Sequence, residues 1–167
     1  MILLRNFLKP ISLLAILHNI RSSHNVGSMF RTADAAGFQK IYLTGISPSP
    51  RDRFGTPDKK LAKVALGAEN YVEWEKTRSI STLIKKLKKH KYKILAIEQS
   101  KKSIPYSRFK IRDGKVALIV GNEVTGLPSN VLRLADHILE IPMRGKKESL
   151  NVTVAFGIVG MHLAGQI

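Results

Sequence analysis

Five short runs of aliphatic residues constrain this chain more than anything else in it: LLAILHNI (13–20), KIYLTG (40–45), YKILAIEQ (92–99), KVALIVG (115–121) and HILEIP (137–142). None alternates strictly between apolar and polar residues, as a strand with one wet face must. Each is therefore expected to be covered on both sides, the condition of a parallel sheet packed between helices. Helical repeats fall between the runs. Val26, Met29, Phe30 and Ala33 follow i, i+3, i+4, i+7 spacing from a start near Asn25 or Val26, with Gly37 as the stop. Ile80, Leu83, Ile84 and Leu87 repeat the pattern, as do Val152, Ala155, Phe156 and Val159. Strands alternating with helices predict a three-layer α/β domain with a mostly parallel sheet. A chain of 167 residues has room for one such core, so a single domain over 1–167 is expected.

Charge narrows the partners. The chain carries 28 Lys and Arg against 12 Asp and Glu, a formal net charge of +16 spread along its length. Such an excess costs self-repulsion and points to a phosphate-rich partner, nucleic acid before an anionic membrane, since no basic helix with exposed aromatics stands out. The absence of cysteine excludes disulfides and thiolate zinc sites. The five histidines show no i, i+4 pairing and no acidic companions, so no metal is implied. The opening MILLRNFLKPISLLAIL is broken by Arg5, Lys9 and Pro10 and has neither a cleavage site nor a spanning run, which favours a cytoplasmic protein with no membrane partner; residues 1–10 remain unassigned. The stretch SPSPRDRFGTPD (47–58) reads as an exposed loop carrying Arg51 and Arg53, and the lysines of IKKLKKHKYK lie on the face opposite Ile84 and Leu87.

Several familiar sites are excluded. The turn after the first run offers only Gly27, too little for a dinucleotide fingerprint. GNEVTG has the glycine spacing of a phosphate loop without its Lys-Ser/Thr, and there is no G-x-S-x-G elbow.

Three stretches carry chemistry. NIRSSHNVGSMFRTADAAG (19–37) turns from a strand's carboxyl end into a helix, where open α/β sheets place ligands and where free N–H groups favour anions; Asn25 there could also serve as a helix cap and Arg31 as a solvent-facing charge. ALIVGNEVTGLP (117–128) runs a buried strand into Gly121-Asn122-Glu123, where glycine permits close approach to the backbone. ILEIPMRGKKESLNVTVAFGIVGMHL (138–163) ends a strand at Pro142, passes a basic loop with Arg144, Lys146 and Lys147, and enters a very apolar helix through Ser149 and Asn151, with Ser149 as the expected cap.

In this order the three stretches resemble the SpoU (TrmH-like) family of RNA ribose methyltransferases over nearly the whole chain, through Asn25-x-Gly27 with Arg31, Gly121-Asn122-Glu123 with Gly126-Leu127, and Ile141-Pro142-Met143 through Ser149-Leu150-Asn151. The resemblance implies a deep trefoil knot near the carboxyl end, of the SPOUT type, S-adenosylmethionine as cofactor, tRNA or rRNA as substrate, and a homodimer whose interface shapes the active site. It further implies that Ile97, Gly121, Ile141, Met143 and Leu150 line the methyl donor and that Arg31, Asn25, Glu123, Ser149 and Asn151 form the catalytic constellation. Arg31 is expected to hold the phosphate and polarise the ribose hydroxyl, since a guanidinium stays charged. With no separate RNA-binding domain expected, recognition falls to Arg51, Arg53, Arg144, Lys146 and Lys147. A non-catalytic RNA-binding module and a knotted base methyltransferase are the competing readings.

Overall fold

The computed structural model describes residues 11–111 and 114–167; residues 1–10, left unassigned by the sequence, lie outside the described part. Among the described residues seven strands form one sheet: β1 (Ser12–His18), β2 (Lys40–Thr44), β3 (Glu73–Thr77), β4 (Tyr92–Ile97), β5 (Ile104–Pro105), β6 (Lys115–Val120) and β7 (His137–Glu140). Their order is β3-β2-β1-β6-β4-β7-β5, and every strand pairing is parallel. Among the described residues five α-helices accompany them: α1 (Ser23–Ala36), α2 (Lys59–Ala65), α3 (Ile80–Lys89), α4 (Ser129–Leu132) and α5 (Val152–Leu163).

The inner strands β1, β2, β4 and β6 are mostly apolar because each serves two cores. Along β1, Leu13, Ala15 and Leu17 face α1, α2 and α5, where they meet Met29, Phe30, Leu61 and Phe156. Leu14 and Ile16 face the other way, into a core with Leu83, Ile84 and Leu87 of α3 and Val131 of α4. Helix, sheet and helix thus make three layers. The lysines of α3 stay exposed opposite its buried leucines, as the spacing requires.

The elements missing from the sequence reading are those with little to bury. β3, EWEKT, is an edge strand whose Glu73 and Glu75 are exposed, and α2 buries only Leu61 and Ala65. Two helix starts also differ from expectation. α1 begins at Ser23, capped by the Ser22 hydroxyl, which accepts from the Asn25 N–H, so Asn25 is free to point elsewhere. At α5 the cap is Asn151, which accepts from the Thr153 N–H at 2.8 Å, and not Ser149. The expected loop at 47–58 is exposed from Arg51 to Pro57, but Ser47 is fully buried and its hydroxyl bridges Ile20 N and Leu17 O.

Parallel pairing sends all carboxyl ends to one edge. β1 leads outward to β2 and β3, whereas β6 and β4 lie on its other side, so the carboxyl ends of β1 and β6 flank the point where the direction of winding reverses. Open α/β sheets leave a crevice there.

Candidate active site

Asn19 closes β1 in a left-handed conformation (φ 56°), turning the chain sharply toward α1. Across the crevice β6 runs out at Gly121, and Asn122 builds the turn that follows: its side-chain oxygen accepts from Val124 N at 2.9 Å and Thr125 N at 3.0 Å, while its amide donates to Asn19 O at 2.9 Å. The two loops thereby brace each other, and Glu123 is delivered to the amino end of α1. Its carboxylate accepts from Arg21 N (2.9 Å), Ser22 N (3.1 Å) and the Asn25 side-chain amide (2.8 Å). Partial burial pushes its pKa up, but the bonds from Arg21, Asn25 and Ser22 outweigh that and hold it below the ordinary glutamate range. A fixed anion therefore sits where the helix dipole favours one.

Beside this cluster lies a cleft of about 200 Å³ lined from β4, β6, β7 and the entry to α5. Its floor is tightly built. A Cβ at Gly121 would come within 2.6 Å of Gly126 C, so the glycine is needed for the chain's own turn to close. Gly126 (φ +66°) in turn lies against Glu98, whose Oε2 accepts from Leu127 N at 2.8 Å and whose Oε1 accepts from Gln99 N. The Gln99 amide reaches the segment before α5 and donates to Glu148 O at 2.6 Å. Apolar walls come from Ile97, Ile141, Leu150 and Val152. Electrostatically the cleft inverts the molecule: Glu98, Glu123 and Glu140 line it, and among the described residues no Lys or Arg does, on a chain of net charge +16. Such a lining suits a ligand with an apolar body and a positive centre.

Of the residues expected to line the methyl donor, Ile97, Gly121, Ile141, Met143 and Leu150 all border this cleft. Of the expected catalytic set, Glu123 and Ser149 border it, Asn25 is bonded to Glu123, and Asn151 begins α5 at its rim. Arg31 stands apart. It is exposed, does not line the cleft, and belongs to neither ion pair found among the described residues, Lys40–Glu75 and Lys88–Asp136. Six residues along α1 from Asn25 place it roughly 9 Å further down the axis and about 120° around it. Arg51, Arg53, Arg144, Lys146 and Lys147 are all exposed on the two loops that flank this edge, and none enters the cleft. Glu98, Gln99 and Glu140 were not singled out from the sequence. The same rule that found Glu123, a polar residue just past a strand's carboxyl end, applies to Glu98 and Gln99 after β4. Among the described residues no group of three His, Asp or Glu is placed to hold a metal, and no helix is long and apolar enough to cross a membrane.

The sequence pattern of the SpoU rRNA Methylase family matches residues 12–161. A relative in Blochmanniella floridana, the 23S rRNA (guanosine-2'-O-)-methyltransferase RlmB, is 33% identical over 93% of this chain and 59% of its own. The chain thus spans a little over half the length of such relatives. An AdoMet-bound rRNA methyltransferase from Sinorhizobium meliloti superposes with a TM-score of 0.80 at 26% identity, over 89% of this chain and 54% of that one. A structure described as giving insight into 2-OH methylation of C/U34 on tRNA has a TM-score of 0.78 at 26% identity, over 94% of this chain and 97% of its own.

Proposed function

We propose, for a chain that belongs to the SpoU rRNA methylase family, that it transfers a methyl group from S-adenosylmethionine to a ribose 2′-hydroxyl of tRNA or rRNA in the cytoplasm. The observation that carries this reading is the acidic, apolar-walled cleft abutting the Glu123–Asn25 cluster on an otherwise basic molecule. The cofactor supplies an electrophilic methyl on a cationic sulfonium, a charge that fits the carboxylates of the cleft. Ile97, Gly121, Ile141, Met143 and Leu150 would hold it, and Gln99 keeps the covering segment in place through Glu148.

The protein's own part in the reaction is positioning and charge. The 2′-oxygen gains negative charge as it attacks, and a guanidinium at that point offsets it while holding the neighbouring phosphate. Arg31 has the right chemistry but not the position within one copy. The reading therefore includes a homodimer in which Arg31 of a second copy reaches the cleft. α5 supports this: it is apolar all round, leaves Val154 47% exposed, with Leu150 just ahead of its cap 39% exposed, and packs on α1, which bears Arg31. Ser149 and Asn151 would fix the segment between β7 and α5 against cofactor and RNA. The strand order, with β6 between β1 and β4 and β7 between β4 and β5, agrees with a trefoil crossing of the last strands.

The test is methyl transfer from labelled cofactor to tRNA and to ribosomal RNA from cells lacking this gene, followed by alkaline hydrolysis. Label in a linkage resistant to hydrolysis is expected. Label released as a methylated base in an ordinary mononucleotide would assign a base methyltransferase, and no transfer to either RNA would leave a binding module.

A further inference from the structure

Phe54 is an aromatic side chain left in water, 78% exposed at the tip of the segment between β2 and α2. It is not on a loose loop. Asp52 Oδ1 accepts from Phe54 N at 2.8 Å and Thr56 N at 2.9 Å, and Asp52 N donates to Thr56 O. An antiparallel bridge joins Arg51 to Pro57, and the Arg51 guanidinium donates to Gly55 O at 3.1 Å. The finger is pinned at its base as well. Asp58 caps α2 with one oxygen and accepts from the Ser23 hydroxyl at 2.6 Å with the other, in the same first turn of α1 that presents Asn25 to Glu123.

A rigid turn that holds an aromatic ring out in water, beside two arginines, has the composition of a stacking platform. The Arg53 guanidinium already lies 4.6 Å from the Phe54 ring centre, covering one face. The ring is otherwise largely in water, at 78% exposure. We infer that Phe54 stacks on an unpaired base of the RNA substrate while Arg51 and Arg53 meet its phosphates. This rests on the function proposed above and adds to it a preference: bases free of a helix can stack on a ring, whereas those inside an A-form duplex cannot. Charge complementarity with the +16 chain selects RNA over an apolar protein surface.

The experiment measures binding of a labelled single-stranded RNA of about 12 nucleotides, and of the same strand annealed to its complement, to the wild type and to Phe54→Ala, Phe54→Leu, Phe54→Trp and Arg53→Ala across a salt series. Phe54→Ala and Phe54→Leu should each weaken single-strand binding by about 5- to 100-fold, leave duplex binding unchanged, and keep the salt slope, while Phe54→Trp keeps affinity. Arg53→Ala should make the slope shallower by about 0.7. A Leu variant that binds single strands like wild type, an equal loss on both RNAs, or a change of oligomeric state with RNA affinity intact would overturn the inference. Wild type that methylates RNA while every Phe54 variant binds and methylates normally sinks this inference alone. Wild type that neither binds nor methylates RNA sinks the function beneath it.

Discussion

Replacing Glu123 with Gln keeps the shape of the side chain and removes its charge. In the wild type, two carboxylate oxygens accept from Arg21 N, Ser22 N and the Asn25 amide. Glutamine offers one oxygen, and its NH2 would face a donor. At least one charge-assisted bond is lost, worth about 1.5–3 kcal/mol in protected settings, and the favourable charge at the start of α1 goes with it, another 0.3–1 kcal/mol or so. Because the site is partly open to water the low end applies, a loss of about 2 kcal/mol at neutral pH. The pH dependence is the sharper mark. The folded-state pKa of Glu123 lies below its ordinary value, so its contribution is fully present above the ordinary carboxylate range and disappears as pH falls through the depressed one. Urea unfolding of both proteins from about pH 7 to about pH 3 should show the two curves converging in acid. A difference that stays constant over the series would mean that shape, and not charge, couples β6 to α1.

Gln99→Ala removes the one hydrogen bond found between the 143–150 segment and the rest of the described chain, so tryptic cleavage after Arg144, Lys146 or Lys147 should speed up about fivefold and cofactor affinity should fall with it, with the melting curve little changed. Gly121→Ala places a methyl 2.6–2.7 Å from the backbone of Gly126 and Leu127 and should cost about 1–3 kcal/mol in urea unfolding, with loss of cofactor binding; retention of both would show that the turn yields easily. Arg31→Lys should abolish most turnover at nearly unchanged cofactor affinity, since a lysine lacks the planar fork, and normal turnover would remove Arg31 from the mechanism.

How far the sequence spoke can be judged residue by residue. β1, β4 and β6 are legible because strands buried on both faces leave an unbroken aliphatic run. β3 is not, because an edge strand with Glu73 and Glu75 outward and Trp74 half-buried looks like any charged connection. The start of α1 was misplaced by two or three residues because Ser22, Ser23 and Asn25 are all good caps, and only the partner across the crevice, Glu123, decides that Asn25 turns outward. Ile97, Gly121, Ile141, Met143 and Leu150, which border the cleft, came from the likeness of the motifs to the SpoU family, and Glu140 was missed because it lies inside the run HILEIP. The position of Arg31 in the chain was clear, but spacing along the chain does not say which cleft, its own or that of a second copy, the side chain would serve.

The proposed completion by a second copy can be tested directly. Arg31→Ala and Glu123→Ala chains, each inactive alone and carrying different tags, are co-expressed and the mixed dimers assayed for 2′-O-methyl transfer. If Arg31 acts across the interface, each mixed dimer has one intact site, and a random mixture regains about a quarter of wild-type activity. If mixed dimers form and remain as inactive as their parents, Arg31 does not serve the cleft of its partner and the account of the active site is wrong.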